Sequence, residues 1–196
     1  MARSRSFDEG EVLRAVRDQF WSTGYAAARV DDIAAATGLG KGSLYGAFGD
    51  KHQLFLRTFD DYCAELIEAV RRALDGPDAG AFERLRAHVE EVANATASDL
   101  CRRGCLLAKG TAELSEQDPA VAATARRTFA AIEELLTSCI AGAQRAGDIR
   151  RDQNPARLAG LLLAVLRGIE ALGKGGSSPD SLRAIAETAL AVLPRP

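Results

Sequence analysis

Two histidines and four cysteines in 196 residues leave little material for a metal centre, and their spacing leaves less. His52 and His88 lie far apart, and neither has a histidine or cysteine at ligand spacing, so no metal site is expected. Four cysteines are also too few for a disulfide framework at this length, which points to a reducing, cytoplasmic setting. No apolar run reaches the ~18 residues of a membrane span, and no apolar segment follows Arg3 and Arg5 as a signal peptide would require. Catalytic signatures are missing as well. There is no G-x-S-x-G elbow, and a Cys–His nucleophile pair would have to be assembled from unrelated segments. The paired carboxylates Asp31-Asp32 and Glu90-Glu91 are adjacent, so on a helix they point in different directions. Neither an enzyme nor a cofactor is expected.

Glycine is not scarce, and one glycine-rich run needs a reading. Thr37 to Lys51 is TGLGKGSLYGAFGDK. A nucleotide P-loop requires G-x-x-x-x-G-K-[ST] after a buried strand. Here Gly40-Lys41 is followed by Gly42, the position five before Gly40 is Ala35, and the preceding VDDIAAAT is alanine-rich and helix-like. The G-x-G-x-x-G fingerprint fails too, because Gly38-Leu39-Gly40 leads to Ser43 where its third glycine belongs. The run therefore reads as a tight turn between helices.

Strand signals are nearly absent, and apolar residues recur at three and four. The pattern predicts an all-α chain of about nine helices. Helix 1 runs from about Asp8 to Thr23 with Val12, Ala15, Val16 and Phe20 on its inner face. Helix 2 covers Val30 to Thr37, and helix 3 covers Lys41 to Phe48. Helix 4 starts after the Asp50 cap and continues to about Leu74. Helices 5 and 6 fall near Ala81–Ala97 and Cys105–Leu114. Asp118-Pro119 and Asn154-Pro155 are caps followed by proline at the first helical position, opening helices 7 and 8, and Pro179-Asp180 introduces helix 9. The expected division is a three-helix N-terminal domain over residues 1–50 and a helical C-terminal domain over residues 51–196.

Two short helices joined by a glycine turn and packed on a first helix form a helix-turn-helix, whose second helix enters the major groove. With Ile33, Leu39, Leu44 and Phe48 turned inward, Lys41, Ser43, Tyr45 and Ala47 face outward. Lysine at the helix start and the tyrosine hydroxyl suit phosphate, Ser43 suits a base edge or phosphate, and Ala47 suits a thymine methyl. Gly40 and Gly42 bring bare backbone close to phosphate, and Lys51 is placed for the DNA backbone beside the groove. Residues 1–57 carry 8 Lys/Arg against 7 Asp/Glu, and the rest carry 17 against 20. That gradient has the sign of an N-terminal polyanion binder.

The segment VDDIAAATGLGKGSLYGAFGDKHQLF, Val30 to Phe55, resembles the signature of the TetR/AcrR family of one-component transcriptional regulators. The family pattern K-G-[ST]-L-Y-x-x-F-x-x-K-x-x-L-F is matched densely across about fifty residues, Asp8 to Phe59. The resemblance implies a homodimer that binds palindromic operator DNA, usually represses, and lets go when a small molecule enters its core. Three departures stand out, one being Gly40, a tolerable cap where the family usually has serine or a similar residue before the lysine. Arg29 occupies the position of a serine or threonine cap, a loss of about 0.5–2 kcal/mol, offset if Arg29 contacts phosphate. Gly46-Ala47 replaces bulky side chains, so operator choice is expected to lean on DNA shape and on an N-terminal arm with Arg3 and Arg5.

From Leu158 to Leu172 only Arg167 and Glu170 are charged, and a helix apolar nearly all round needs cover on more than one side. Helices 8 and 9, about residues 155–193 with Leu182, Ile185, Ala189, Leu190 and Leu193, are the expected dimer pair, the alternative being an internal hairpin that fills the monomer's core. The candidate effector-lining residues are Tyr62, Leu66, Phe82, Leu85, Val89 and Phe129, a stripe that also reads as plain core. Cys105, ahead of Cys101, is a further candidate. Arg102, Arg103 and the start of helix 6 favour thiolate there, and the GCLL segment resembles TetR relatives that include electrophile-responsive repressors. Its alternative is a buried small hydrophobe, the reading given to Cys63 and Cys139. The competing function is a helical carrier or interaction protein without useful DNA affinity.

Overall fold

The computed structural model describes residues 7–194, so the arm carrying Arg3 and Arg5 lies outside the described residues. Among them are nine α-helices and no strand: α1 (Glu9–Thr23), α2 (Val30–Thr37), α3 (Lys41–Phe48), α4 (Lys51–Leu74), α5 (Ala81–Ser98), α6 (Leu106–Leu114), α7 (Pro119–Ala146), α8 (Pro155–Lys174) and α9 (Pro179–Ala191). None is long and apolar enough to cross a membrane.

The helices start where local chemistry lets them. The Asp8 carboxylate accepts from Glu11 N at 3.0 Å, Asp50 from Gln53 N at 2.9 Å, and Asp118 from Ala120 N at 2.9 Å. Asn154 accepts from Ala156 N and Arg157 N ahead of α8, and Ser178 from Ser181 N ahead of α9. Each cap satisfies an amide that a helix start leaves without an intrahelical partner.

The chain divides into two compact units. The first contains the described residues through Cys63 together with Leu106–Thr124. Its core is aromatic. Phe20 meets Phe55 edge-on at 5.2 Å, Phe55 stacks with Phe59 at 5.4 Å, and Tyr25 meets Phe55 at 5.0 Å. Phe20, Phe55, Phe59, Ile33 and Leu44 are fully buried around this stack. Short α6 belongs to this unit, and Gly110 explains its close seat. A Cβ there would stand 2.7 Å from Phe59 Cε2, nearer than real carbons approach. Polar ties reinforce it. Lys109 Nζ donates to the Trp21 and Ser22 carbonyls, and Glu113 Oε2 accepts from the Tyr25 and Ala26 amides.

The second unit comprises Ala64–Cys105 and the described residues from Ala125 onward. In it α5 packs on α8 and α9, which pack on each other. Leu85, Val89, Ile132, Leu136, Ile140 and Leu162 form its fully buried centre. At the α4–α5 turn, Arg84 donates to the Leu74 and Pro77 carbonyls, and Arg145 grips Asp78 through two bonds of 2.7 Å.

Candidate nucleic-acid interface

The turn between α2 and α3 is set by Gly38, which caps α2 in the left-handed region at φ 67°. Glycine reaches that region without steric cost. The Thr37 hydroxyl donates to the Ile33 carbonyl and accepts from Leu39 N, tightening the corner. Gly40 is the extended N-cap of α3, and its carbonyl accepts from Ser43 N and Leu44 N.

Helix α3 has three usable faces. Leu44 and Phe48, one turn apart, are buried and anchor it. Lys41 and Tyr45 form one exposed edge, and Ser43 and the half-buried Ala47 form the other. Gly42 and Gly46 lie between them, opposite the anchors, with nothing within 4 Å of a Cβ built on either. The centre of the outward face is therefore bare backbone. Leu39, expected among the inward residues, is only half-buried, because it sits in the turn rather than on a helix face.

Three of the cations around this face, Lys41, Lys51 and Arg57, are already engaged. Lys41 Nζ lies 2.5 Å from Asp31 Oδ1 in the first turn of α2. That hydrogen bond holds the Asp31 carboxyl below its usual value, with Lys41 and Arg29 adding charge attraction. Lys51 Nζ sits 4.6 Å over the Tyr25 ring and 3.5 Å from the Ala26 carbonyl. Arg29 is exposed at the N-cap of α2 and makes no side-chain cap. Arg57 lies over the Phe48 ring at 5.5 Å and pairs with Glu9.

The arrangement fits phosphate and groove contact. An exposed helix start carries lysine, tyrosine and serine, and rigid anchors sit behind it. Residues 12–58 match the family model described as "Bacterial regulatory proteins, tetR family". Residues 81–189, more than half the chain, match "Tetracyclin repressor-like, C-terminal domain". The chain belongs to the TetR family.

Other TetR-family proteins are similar over most of the chain. The HTH-type transcriptional repressor ComR of Escherichia coli (strain K12) is 26% identical over 98% of this chain and 91% of its own length. The HTH-type transcriptional repressor DhaR of Mycobacterium sp. (strain GP1) is 28% identical over 76% of this chain and 73% of its own. The TetR family transcriptional regulator CifR, solved as a cysteine mutant complexed with 26 bp double-strand operator DNA, has a TM-score of 0.83 and 28% identity, covering 98% of this chain and all of that one. This TetR-family chain is a DNA-binding transcriptional regulator rather than an enzyme, and the carrier alternative is not favoured.

The second unit contains a polar cluster between residues distant in the sequence. Arg167 Nη1 donates to Cys105 Sγ at 3.0 Å and lies 2.8 Å from Glu170 Oε2. Burial pushes the Glu170 carboxyl up, while Arg167 and a hydrogen bond to the Cys105 thiol pull it down. The guanidinium beside Cys105 is thus Arg167 from α8, whereas Arg103 pairs with Asp99 and Arg102 is exposed. Cys105 is buried at the last residue before α6, and Cys101 is exposed. Cys63 and Cys139 are buried as expected. The other effector candidates do not form one group. Leu85 and Val89 are fully buried in the packed core, Phe82 is buried at its edge, Leu66 and Phe129 are half-buried, and Tyr62 belongs to the first unit, against Trp21. No cluster of three metal-ligating side chains occurs among the described residues.

Proposed function

We propose that the chain is a homodimeric repressor whose α3 reads palindromic operator DNA and which releases that DNA when a small molecule binds in its helical C-terminal domain. The observation carrying this reading is the exposed edge of α3. Lys41, Ser43 and Tyr45 stand at the start of a helix fixed from behind by Leu44 and Phe48. Gly40 and Gly42 allow close approach of backbone to phosphate, Ala47 suits a thymine methyl, and Arg29 and Lys51 flank the groove. Residues 1–50 take the DNA-reading role, and residues 51–196 take the ligand and dimer roles. Acting on DNA makes the protein cytoplasmic.

Dimerisation is supported by α8 and α9. Leu161, Val165, Ile185, Ala189 and Val192 line one apolar cleft, with Leu161 at 47% and Val192 at 59% exposure. An exposed apolar face of that kind marks an interaction site. A second copy of the chain is the partner that the resemblance to a dimeric family implies.

The effector site is read at the Cys105–Arg167–Glu170 cluster, and Leu66, Phe82, Leu85, Val89, Phe129 and Tyr62 remain separate apolar candidates. Buried polar groups amid an aliphatic core orient a bound molecule. Arg167 Nε–H has no acceptor among the described residues, so a ligand oxygen has a donor to meet.

The reading is tested by titrating the protein onto tiled duplexes from the DNA flanking its own gene and counting bound protomers. Two protomers on one fragment, tight at low salt, is the expected result. Equal, weak binding to every fragment contradicts it.

A further inference from the structure

The segment around the α2–α3 turn carries no net charge. From Arg29 to Lys51 the chain has three cations (Arg29, Lys41 and Lys51) and three acids (Asp31, Asp32 and Asp50). Lys41 is the sole charged residue of α3, and its ammonium is 2.5 Å from Asp31. Both side chains are open to solvent, Lys41 at 51% and Asp31 at 61% exposure. Asp31 also feels the charge of Arg29. One carboxylate therefore faces the two cations best placed to meet phosphate.

Non-specific DNA affinity is essentially electrostatic, whereas operator affinity adds contacts made only when the helix is in register. A carboxylate paired with Lys41 acts unequally on the two. Random DNA must displace Asp31 and bring phosphate toward it with nothing else to offset that cost. An operator offsets it with groove contacts. Discrimination is gained by weakening the wrong complex, as in other recognition surfaces that use a repulsive element.

We infer that Asp31 is a specificity-determining residue of DNA recognition, holding Lys41 in the free protein and thereby suppressing binding to non-operator DNA. The inference rests on the operator-binding reading above.

The test compares wild type, Asp31→Asn, Asp32→Asn, Lys41→Ala and the Asp31→Asn/Lys41→Ala double variant. Each is titrated by fluorescence anisotropy onto the preferred fragment and onto its scrambled counterpart across a salt series. Asp31→Asn is expected to tighten scrambled-DNA binding several-fold at low salt and to steepen its log–log salt slope by about 0.9, the contribution of one neutralised phosphate. The ratio of preferred to scrambled affinity falls accordingly. Asp32→Asn leaves the slope as in wild type, and the Asp31→Asn effect vanishes in the Lys41→Ala background. Asp31→Glu, which keeps the charge, restores the wild-type ratio. Equal effects of Asp31→Asn and Asp32→Asn, or a full effect without Lys41, overturn the assignment and leave only general repulsion. Salt-independent binding by wild type and every variant overturns the operator-binding reading itself.

Discussion

Lys109 of α6 donates from Nζ to the Trp21 carbonyl at 2.8 Å, placing a cation on the carbonyl end of α1. Four residues on, Glu113 accepts from Tyr25 N at 2.7 Å just beyond that end. Opposite charges one turn apart thus hold both the last carbonyls of α1 and the first amides of the connection to α2. A cation at a helix C-terminus is stabilising in its own right. Lys109→Ala is expected to cost about 1 kcal/mol of stability, read as an earlier denaturant midpoint with unchanged slope. A midpoint equal to wild type would show that the tie contributes nothing.

The faces of α3 separate buried anchors from exposed side chains. Leu44 is 1% exposed, so Leu44→Ala should destabilise by about 2–5 kcal/mol. Tyr45 is 43% exposed, so Tyr45→Ala should leave the melting temperature near wild type while weakening operator binding. If Tyr45→Ala instead lowers stability with affinity intact, the assignment of faces is wrong.

Cys105 and Cys101 should differ in how they respond to Arg167. The Arg167 guanidinium donates to Cys105 Sγ at 3.0 Å, a contact that strengthens when the sulfur carries charge and attacks electrophiles. The Glu170 carboxyl bonded to the same thiol opposes it. In a Cys101→Ser background, Arg167→Gln is expected to slow alkylation of Cys105 by N-ethylmaleimide. In a Cys105→Ser background, the same change should leave exposed Cys101 unaffected. Equal slowing of both thiols would point to a general structural change.

Acid should destabilise the protein partly through His88. Burial, with the nearby Arg167 charge, lowers its imidazole to about 4 from 6.5. Between those values the unfolded chain binds the proton and the folded chain does not. His88 thus contributes stability that is fully present above pH 6.5 and lost as pH falls toward 4, roughly 3 kcal/mol at most. Glu170, raised by burial, acts with the opposite sign, losing stability as pH climbs through its own range. Melting temperature plotted against pH should therefore be flatter in His88→Leu than in wild type between 4 and 6.5. Parallel curves would remove His88 from the account.

The apolar cleft on α8 and α9 gives a direct test of assembly. Leu161→Asp with Val192→Asp puts two charges on that face and should convert a dimer to monomer in sedimentation while leaving helicity unchanged. A wild-type chain that already sediments as a monomer contradicts the dimer reading.

Much of this was legible in the sequence because it is local. Asp8, Asp50, Asp118 and Asn154 mark helix starts through side-chain bonds to amides two or three residues on, and the Leu44–Phe48 spacing places α3's anchors. The relationships that escaped are between residues distant in the chain. Arg167 meets Cys105 across 62 positions, whereas the neighbouring Arg102 and Arg103 point elsewhere. The membership of α6 in the first unit depends on Gly110 fitting against Phe59, a shape match with no local signature. Lys41 looked available for phosphate, but pairing with Asp31 requires knowing how α2 and α3 cross. Leu39 looked inward by hydrophobicity alone, and the turn leaves it half-exposed.

The most direct test of the central claim is the salt dependence of binding to the preferred fragment by wild type and Lys41→Ala, with Arg72→Ala on the exposed end of α4 as control. Lys41→Ala should lower affinity and make the log–log slope shallower by about 0.9, with Arg72→Ala matching wild type. Identical slopes for all three proteins would contradict a DNA contact at the start of α3.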